Sequence, residues 1–165
     1  MAALVEAETW FGAGWGLDRF AVLTIGAGLG YGLVLGGTRV PFEEEDRGFG
    51  RYWILAPSGP LTPDGARGSA VSLLTVPGTG TDARYEDILA GAGAGEPMAS
   101  RVMKILLAGE GGGLMDVAGN TVRETVRAHR HPLAAPVDLE TRVSDFHDWA
   151  RGAAVLAIQL GGREK

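Results

Sequence analysis

The hydrophobic pattern is densest between Phe20 and Thr38, where FAVLTIGAGLGYGLVLGGT carries no charged residue and glycine recurs at every second position, Gly26, Gly28, Gly30 and Gly32. A period of two within an apolar run is that of a strand. The break at Gly26-Ala27-Gly28 therefore predicts two strands, buried on both sides and joined by a turn. The span is also long enough to cross a bilayer, but its six glycines suit a core hairpin, so no membrane segment is expected. Upstream, Ala2 to Trp10 interleaves apolar and acidic residues with helical composition and stops at the Gly12-Ala13-Gly14 breaker.

Downstream the pattern loosens. Glu43, Glu44, Glu45 and Asp46 read as a solvated loop, because adjacent carboxylates repel and no glycine-spaced calcium loop surrounds them. Arg47 to Gly68, with Pro57, Pro60 and Pro63 and the aromatics Phe49, Tyr52 and Trp53, reads as an ordered excursion lining a pocket. Ala70 to Val76 suits a helix or a short strand, and Tyr85 to Ala90 and Glu96 to Met103 suit short helices split by GAGAG. Lys104 to Ala108 is a buried strand that enters Gly109-Glu110-Gly111-Gly112-Gly113 and then the helix Leu114 to Ala128. Val137 to Val143 alternates as a strand, and Ser144 is the expected cap of a last helix, Asp145 to Leu160, whose Ala150, Gly152, Ala153 and Ala154 allow close packing.

Composition narrows the function. The 165 residues make one domain by size. A formal charge of −5 offers no basic footprint for nucleic acid or anionic lipid. Without cysteine, disulfides, iron–sulfur clusters and thiolate zinc sites are excluded, and Glu6 and Glu8 interrupt the apolar N-terminus, so no signal peptide is read and the expected compartment is the cytoplasm.

Candidate chemistry centres on the glycines. Alternating glycines strip one face of the hairpin turn, permit positive φ and aim bare N–H groups at a common point, as in a phosphate or anion cradle. Strand, glycine turn and helix around Gly109 aim a helix N-terminus at an anion or nucleotide. Glu110 reads either as a carboxylate facing the cleft or as a helix N-terminal acid. His129, His131 and His147 lie on polar segments and read as surface residues, and no nucleophile elbow, metal-binding His pair or Walker loop occurs.

Four blocks, AETWFGAGWGLDRFAVLTIGAGLGYGLV, APSGPLTPDGARGSAVSLLTVPG, ILLAGEGGGL and DWARGAAVLAIQ, stand in an order that resembles the C-terminal lobe of the ROK family, the repressor, open-reading-frame and sugar-kinase proteins. The likeness is nearest to the actinobacterial regulators and covers almost the whole chain. It implies an α/β fold: a single truncated actin-like ATPase lobe spanning residues 1–165, with a mixed sheet, a glycine-rich hairpin and flanking helices. It also implies that Gly26-Ala27-Gly28-Leu29-Gly30 is the second phosphate loop and Gly109-Glu110-Gly111 the turn near the adenosine.

The departures from that family carry as much information. The Asp-x-Gly-Gly-Thr phosphate turn and the Asn-Asp pair holding the catalytic base do not occur in this sequence, so sugar-kinase activity is not expected. The family's zinc ligands, one His and three Cys, match Arg51, Thr62, Asp64 and Ser69 here, which cannot build a tetrahedral zinc site. Neither zinc nor another cofactor is expected, and an Arg51–Asp64 ion pair is the expected replacement staple. By the same resemblance roughly two dozen residues are missing between Met103 and Lys104, too many for a loop trim. The apolar face left behind predicts a homodimer, with Trp10, Phe11 and Trp15 either on that surface or in the core.

Three readings follow. The preferred one is a non-kinase ligand-binding or regulatory protein, its small-molecule site drawn from Gly26, Gly28, Gly30, Arg51, Tyr52, Asp64, Gly109, Glu110 and Gly111. The others are a repurposed small-molecule enzyme, such as a cyclase or isomerase of secondary metabolism, and an inert or engineered fragment.

Overall fold

A computed structural model describes residues 1–26, 28–41, 58–59, 61, 67–69, 103–109, 113–129 and 136–162. Helix α1 (Ala2–Phe11) precedes strands β1 (Arg19–Ile25), β2 (Leu29–Leu35) and β3 (Thr38–Arg39). Strand β4 (Lys104–Ala108), helix α2 (Leu114–His129), strand β5 (Asp138–Thr141) and helix α3 (Phe146–Gly161) follow. The five strands form one mixed sheet in the order β3-β2-β1-β4-β5. The segments read as Ala70 to Val76, Tyr85 to Ala90 and nearly all of Glu96 to Met103 lie outside the described residues.

The predicted hairpin is present, with β1 and β2 antiparallel and Val22 opposite Gly32. Its second turn, at Gly36-Gly37, has φ of 61° and 70°. Two consecutive positive φ values give the turn that matches strand twist, and glycine accepts them without steric cost. β4 runs parallel to β1, Val22 beside Leu106, and β5 runs parallel to β4, Leu106 beside Glu140.

Because directly paired residues share a face, the register sorts the side chains. Phe20, Val22, Val34, Leu106 and Ala108 all point to one side, and with Leu4 and Val5 of α1 they make the buried core. Ala21, Leu23, Leu33, Ile105 and Leu107 point to the other side. There Tyr31 sits opposite Leu23, and burial pushes its phenol up to about 12. A raised folded-state value means that stability is full below pH ~10, where free tyrosine titrates, and falls as pH climbs toward about 12. We expect one of the three tyrosines to form phenolate late, together with unfolding, and Tyr31→Phe to flatten the alkaline decline; an unchanged profile in that variant would reject the assignment.

Helix α1 is buried over five consecutive residues, Leu4 to Glu8, because the sheet lies on one side of it and α3 on the other. Its acids stand two residues apart and so leave on nearly opposite sides. Glu6 (5 % exposed) accepts from Trp10 Nε1 at 3.3 Å, Gln159 Nε2 at 3.0 Å and Arg39 Nε at 3.1 Å. Glu8 (3 % exposed) accepts from Ala13 N at 2.9 Å and Arg142 Nε at 3.3 Å. The pair thus ties the central helix to β3 at one sheet edge and to the residue after β5 at the other. Lys104 meets Glu140 at 2.8 Å and Asp138 at 3.1 Å, and the Glu140 hydrogen bond, then that of Asp138, raises its ammonium above the ordinary lysine value.

Three expectations change. β5 covers Asp138–Thr141 rather than Val137 to Val143, because β4 turns away at Gly109 and leaves Val143 unpaired and exposed. The cap of α3 is Asp145, not Ser144. Asp145 Oδ1 accepts from His147 N at 2.8 Å and Asp148 N at 3.1 Å, while Asp148 Oδ2 accepts from Asp145 N at 3.3 Å. Ser144 would have His147 at the third helical position, which cannot close that reciprocal box as a carboxylate does. The Asp148 backbone N–H also holds the Asp145 carboxyl below its usual range. Finally, Trp10, Phe11 and Trp15 are 47, 59 and 69 % exposed, which removes the core-packing reading for these aromatics.

Candidate functional site

Thr24 pairs with Ala108, so the chain leaves β1 and β4 side by side, through Gly26 and Gly109, at the carboxyl ends of parallel strands. Crevices at such ends are where open α/β sheets bind ligands. Gly109 has φ +91°, and a Cβ there would stand 2.6 Å from the Ile25 carbonyl oxygen. Both conformation and space therefore demand glycine, and its absent side chain is what lets the two turns touch. At the hairpin tip Gly26 N donates to the Gly28 carbonyl at 3.1 Å. A Cβ added at Gly28 would meet nothing within 4 Å, so this position is open to an approaching molecule.

The other alternating glycines serve the fold. A Cβ at Gly30 would overlap Met1 Sδ and Thr24 Oγ1, and one at Gly32 would overlap Val5 Cγ2. Their stripped face is thus filled by α1, with Thr24 Oγ1 donating to Met1 Sδ at 3.4 Å, and both glycines lie within the regular strand β2. Period two in this segment records the close approach of the chain's own helix, and the anion-cradle expectation contracts from four glycines to the tip. Sequence reasoning missed this because nothing local at Gly30 announces a residue 29 positions away.

Helix α2 begins at Leu114, immediately after the Gly109 turn region, with Asp116 in its first turn. An acid there complements the helix dipole and competes with an incoming anion for the same partial charge. Of the nine expected site residues, Gly26, Gly28, Gly30 and Gly109 are placed as above; Arg51, Tyr52, Asp64, Glu110 and Gly111 lie outside the described residues. So does the expected Arg51–Asp64 pair. Of the four positions matched to zinc ligands only Ser69 is described, and it is fully buried. Near it Leu61 bridges to Arg67, and Arg67 Nη1 donates to the Gly59 carbonyl at 3.0 Å, a local staple that the sequence reading did not foresee. His147 is exposed and donates its backbone N–H to the helix cap. Among the described residues no three His, Asp or Glu side chains stand together as metal ligands, and no helix is long and apolar enough to cross a membrane.

No family profile matches the sequence. Glucokinase of Thermotoga maritima is 36 % identical over 66 residues, 40 % of this chain and 21 % of that protein. Among solved structures, a ROK-family glucokinase from Streptomyces griseus in complex with glucose and AMPPNP superposes with TM-score 0.73 and 18 % identity, covering 96 % of this chain and 66 % of that one. The ROK hexokinase of Thermus thermophilus gives TM-score 0.70 and 20 % identity, covering 96 % and 64 %. A ROK-family transcriptional regulator, a homolog of the E. coli MLC protein, gives TM-score 0.67 and 18 % identity, covering 93 % and 49 %. The fold is therefore that of the ROK sugar kinases and repressor, as the sequence resemblance implies, and the chain spans about half to two-thirds of the length of these proteins.

Proposed function

We propose that this chain is a non-kinase, small-molecule-binding protein of ROK descent that receives a nucleotide or sugar at the Gly26–Gly28 tip and the Gly109 turn. The observation that carries the reading is the juxtaposition of two glycine turns at the carboxyl ends of β1 and β4, with open space over Gly28. The ligand class is supported by the likeness to the Streptomyces griseus glucokinase, which was solved in complex with glucose and AMPPNP. Binding without phosphoryl transfer is favoured by the replacement of the zinc ligands that the family resemblance matches to Arg51, Thr62, Asp64 and Ser69, a set that cannot hold the metal.

Purified protein should be stabilised by magnesium ATP or by a sugar in a thermal-shift assay, by roughly 5–10 °C at a hundredfold excess over Kd for a domain of this size. Gly28→Val should abolish that shift while leaving the unliganded midpoint in place, because its side chain enters empty space. Loss of the shift with an intact midpoint locates the ligand at the tip; a full shift in the variant places it elsewhere. Phosphorylation of the sugar would overturn the non-kinase reading. Silence toward ATP and sugars, with a metabolite from cell extract consumed, would replace it with the repurposed-enzyme reading.

A further inference from the structure

The two glycine turns meet in segments of the chain that hold no positive charge. From Phe20 to Thr38 there is no charged residue, and from Ile105 to Val122 the charged residues are Glu110 and Asp116, both acids. Asp116 is exposed in the first turn of α2, where it answers the positive end of the helix dipole. Phosphate sites built on glycine loops depend on free backbone N–H groups and, in the Walker loop, on a lysine as well. At the tip the Gly26 N–H is already engaged by the Gly28 carbonyl at 3.1 Å.

The described cations on these elements are distant from the turns or held by other partners. Arg19 and Lys104 open β1 and β4, so by strand rise they stand roughly 20 Å from Ile25 and roughly 13 Å from Ala108. Both spans exceed the screening length of about 8–10 Å at ordinary salt, and Lys104 is held by Glu140 at 2.8 Å and Asp138 at 3.1 Å. Arg142 does lie near the carboxyl ends, its backbone N–H donating to the Leu107 carbonyl at 2.7 Å, but its guanidinium turns to Glu8 at 3.3 Å and Glu140 at 3.8 Å. Arg123 comes well into α2, about 13 Å along the axis from Leu114.

From this charge distribution we propose that the turn pair selects an uncharged ligand with vicinal hydroxyl groups, a nucleoside or a free sugar, and rejects its phosphorylated form. The proposal rests on the reading of the turns as a binding site and narrows its ligand. Hydroxyl groups donate as well as accept, and a carboxylate, which only accepts, can take both donations of a vicinal pair. In dinucleotide-binding sheets an acid plays this part for ribose. A phosphate brings acceptors and negative charge. Among the described residues it meets no uncommitted cation at the turns, while the carboxylate of Asp116 at the start of α2 repels it. The place to which the family resemblance assigns a phosphate loop therefore has the opposite electrostatics.

Calorimetric titration of the purified chain at low ionic strength with adenosine, AMP, glucose and glucose 6-phosphate sets two uncharged ligands against their phosphorylated forms. Adenosine or glucose should bind, with the phosphorylated partner at least tenfold weaker, and raising the salt to about 0.5 M should close most of that gap because the repulsion is screened. A response to adenosine identifies a nucleoside site, and a response to glucose a sugar site. Asp116→Lys, a change at an exposed helical position, should move the ratio of the two Kd values at least tenfold toward the phosphorylated ligand, with an unchanged helical circular-dichroism signal. Should that variant fail to fold, the salt series on the wild-type chain decides alone. A phosphorylated ligand bound as tightly as its parent, a gap that salt leaves untouched, or a ratio unmoved by Asp116→Lys would overturn the charge selection and leave the binding reading standing. Silence from all four ligands would overturn both.

Discussion

Gly152→Leu is expected to abolish the native fold. A Cβ at Gly152 would overlap the carbonyl oxygen of Ala3 and stand 3.0 Å from the Ala3 Cα, so the contact is between the backbones of α3 and α1, with no flexible side chain to yield. Relief would require the helices to separate, and α1 cannot move alone. Leu4 and Val5, one and two residues on, are buried in the core beside Phe20 and Leu106, and Val5 fills the space over Gly32. Overpacking one extra group into a tight core costs about 1–3 kcal/mol; leucine adds four carbons against main chain, enough to exceed the 5–15 kcal/mol that typically separates native from unfolded states. Gly152→Ala should already lower the urea midpoint markedly, despite the better helix propensity of alanine. Gly113→Leu serves as the control, since a Cβ there meets nothing within 4 Å. A Gly152→Leu chain that unfolds cooperatively near the wild-type midpoint would show that α1 and α3 do not cross at this glycine.

How much of this was legible in the sequence depends on the distance over which each feature is determined. The strand Lys104–Ala108, the helix beginning at Leu114 and the glycine-rich hairpin were readable because composition and period are local properties of a few consecutive residues. The meaning of the hairpin glycines was only half readable. Gly28 is open, but Gly30 and Gly32 are glycine because Met1 and Val5 must lie over them, and alternation alone cannot separate a cleft for a ligand from a seat for a helix. Ser144 and Asp145 are both good cap residues, and the choice fell to Asp148, three residues beyond the true cap. Glu6 and Glu8 read only as acids interleaved with apolar residues in a segment of helical composition. They are instead buried, because Arg39 and Arg142, contributed by opposite sheet edges, complete their hydrogen bonds. Of the site, the two glycine turns were legible as turns, while their contact depends on the parallel pairing of β1 with β4 across the 78 residues of chain between Ile25 and Lys104.

That last class of contact makes the second large prediction. Arg142→Met should destabilise the fold by about 2–3 kcal/mol, below the 3–5 kcal/mol of breaking a fully buried pair because the arginine is 35 % exposed and partly screened by water. The harm lies in what remains. Glu8, 3 % exposed, would be left, among the described residues, with the Ala13 N–H alone donating to its buried carboxyl group, at the point where the loop carrying Trp15 leaves α1. Glu8→Gln in the same chain removes that stranded charge and can still accept from Ala13 N through its amide oxygen. The double variant Glu8→Gln/Arg142→Met should therefore be more stable than Arg142→Met alone, although it departs further from the native sequence. A cycle of urea denaturation on the wild-type chain, the two single variants and the double one measures this directly, since residues in contact are non-additive when they share an interaction. Strict additivity would mean that Glu8 does not depend on Arg142, and that α1 is held to the β5 edge by apolar packing rather than by this pair.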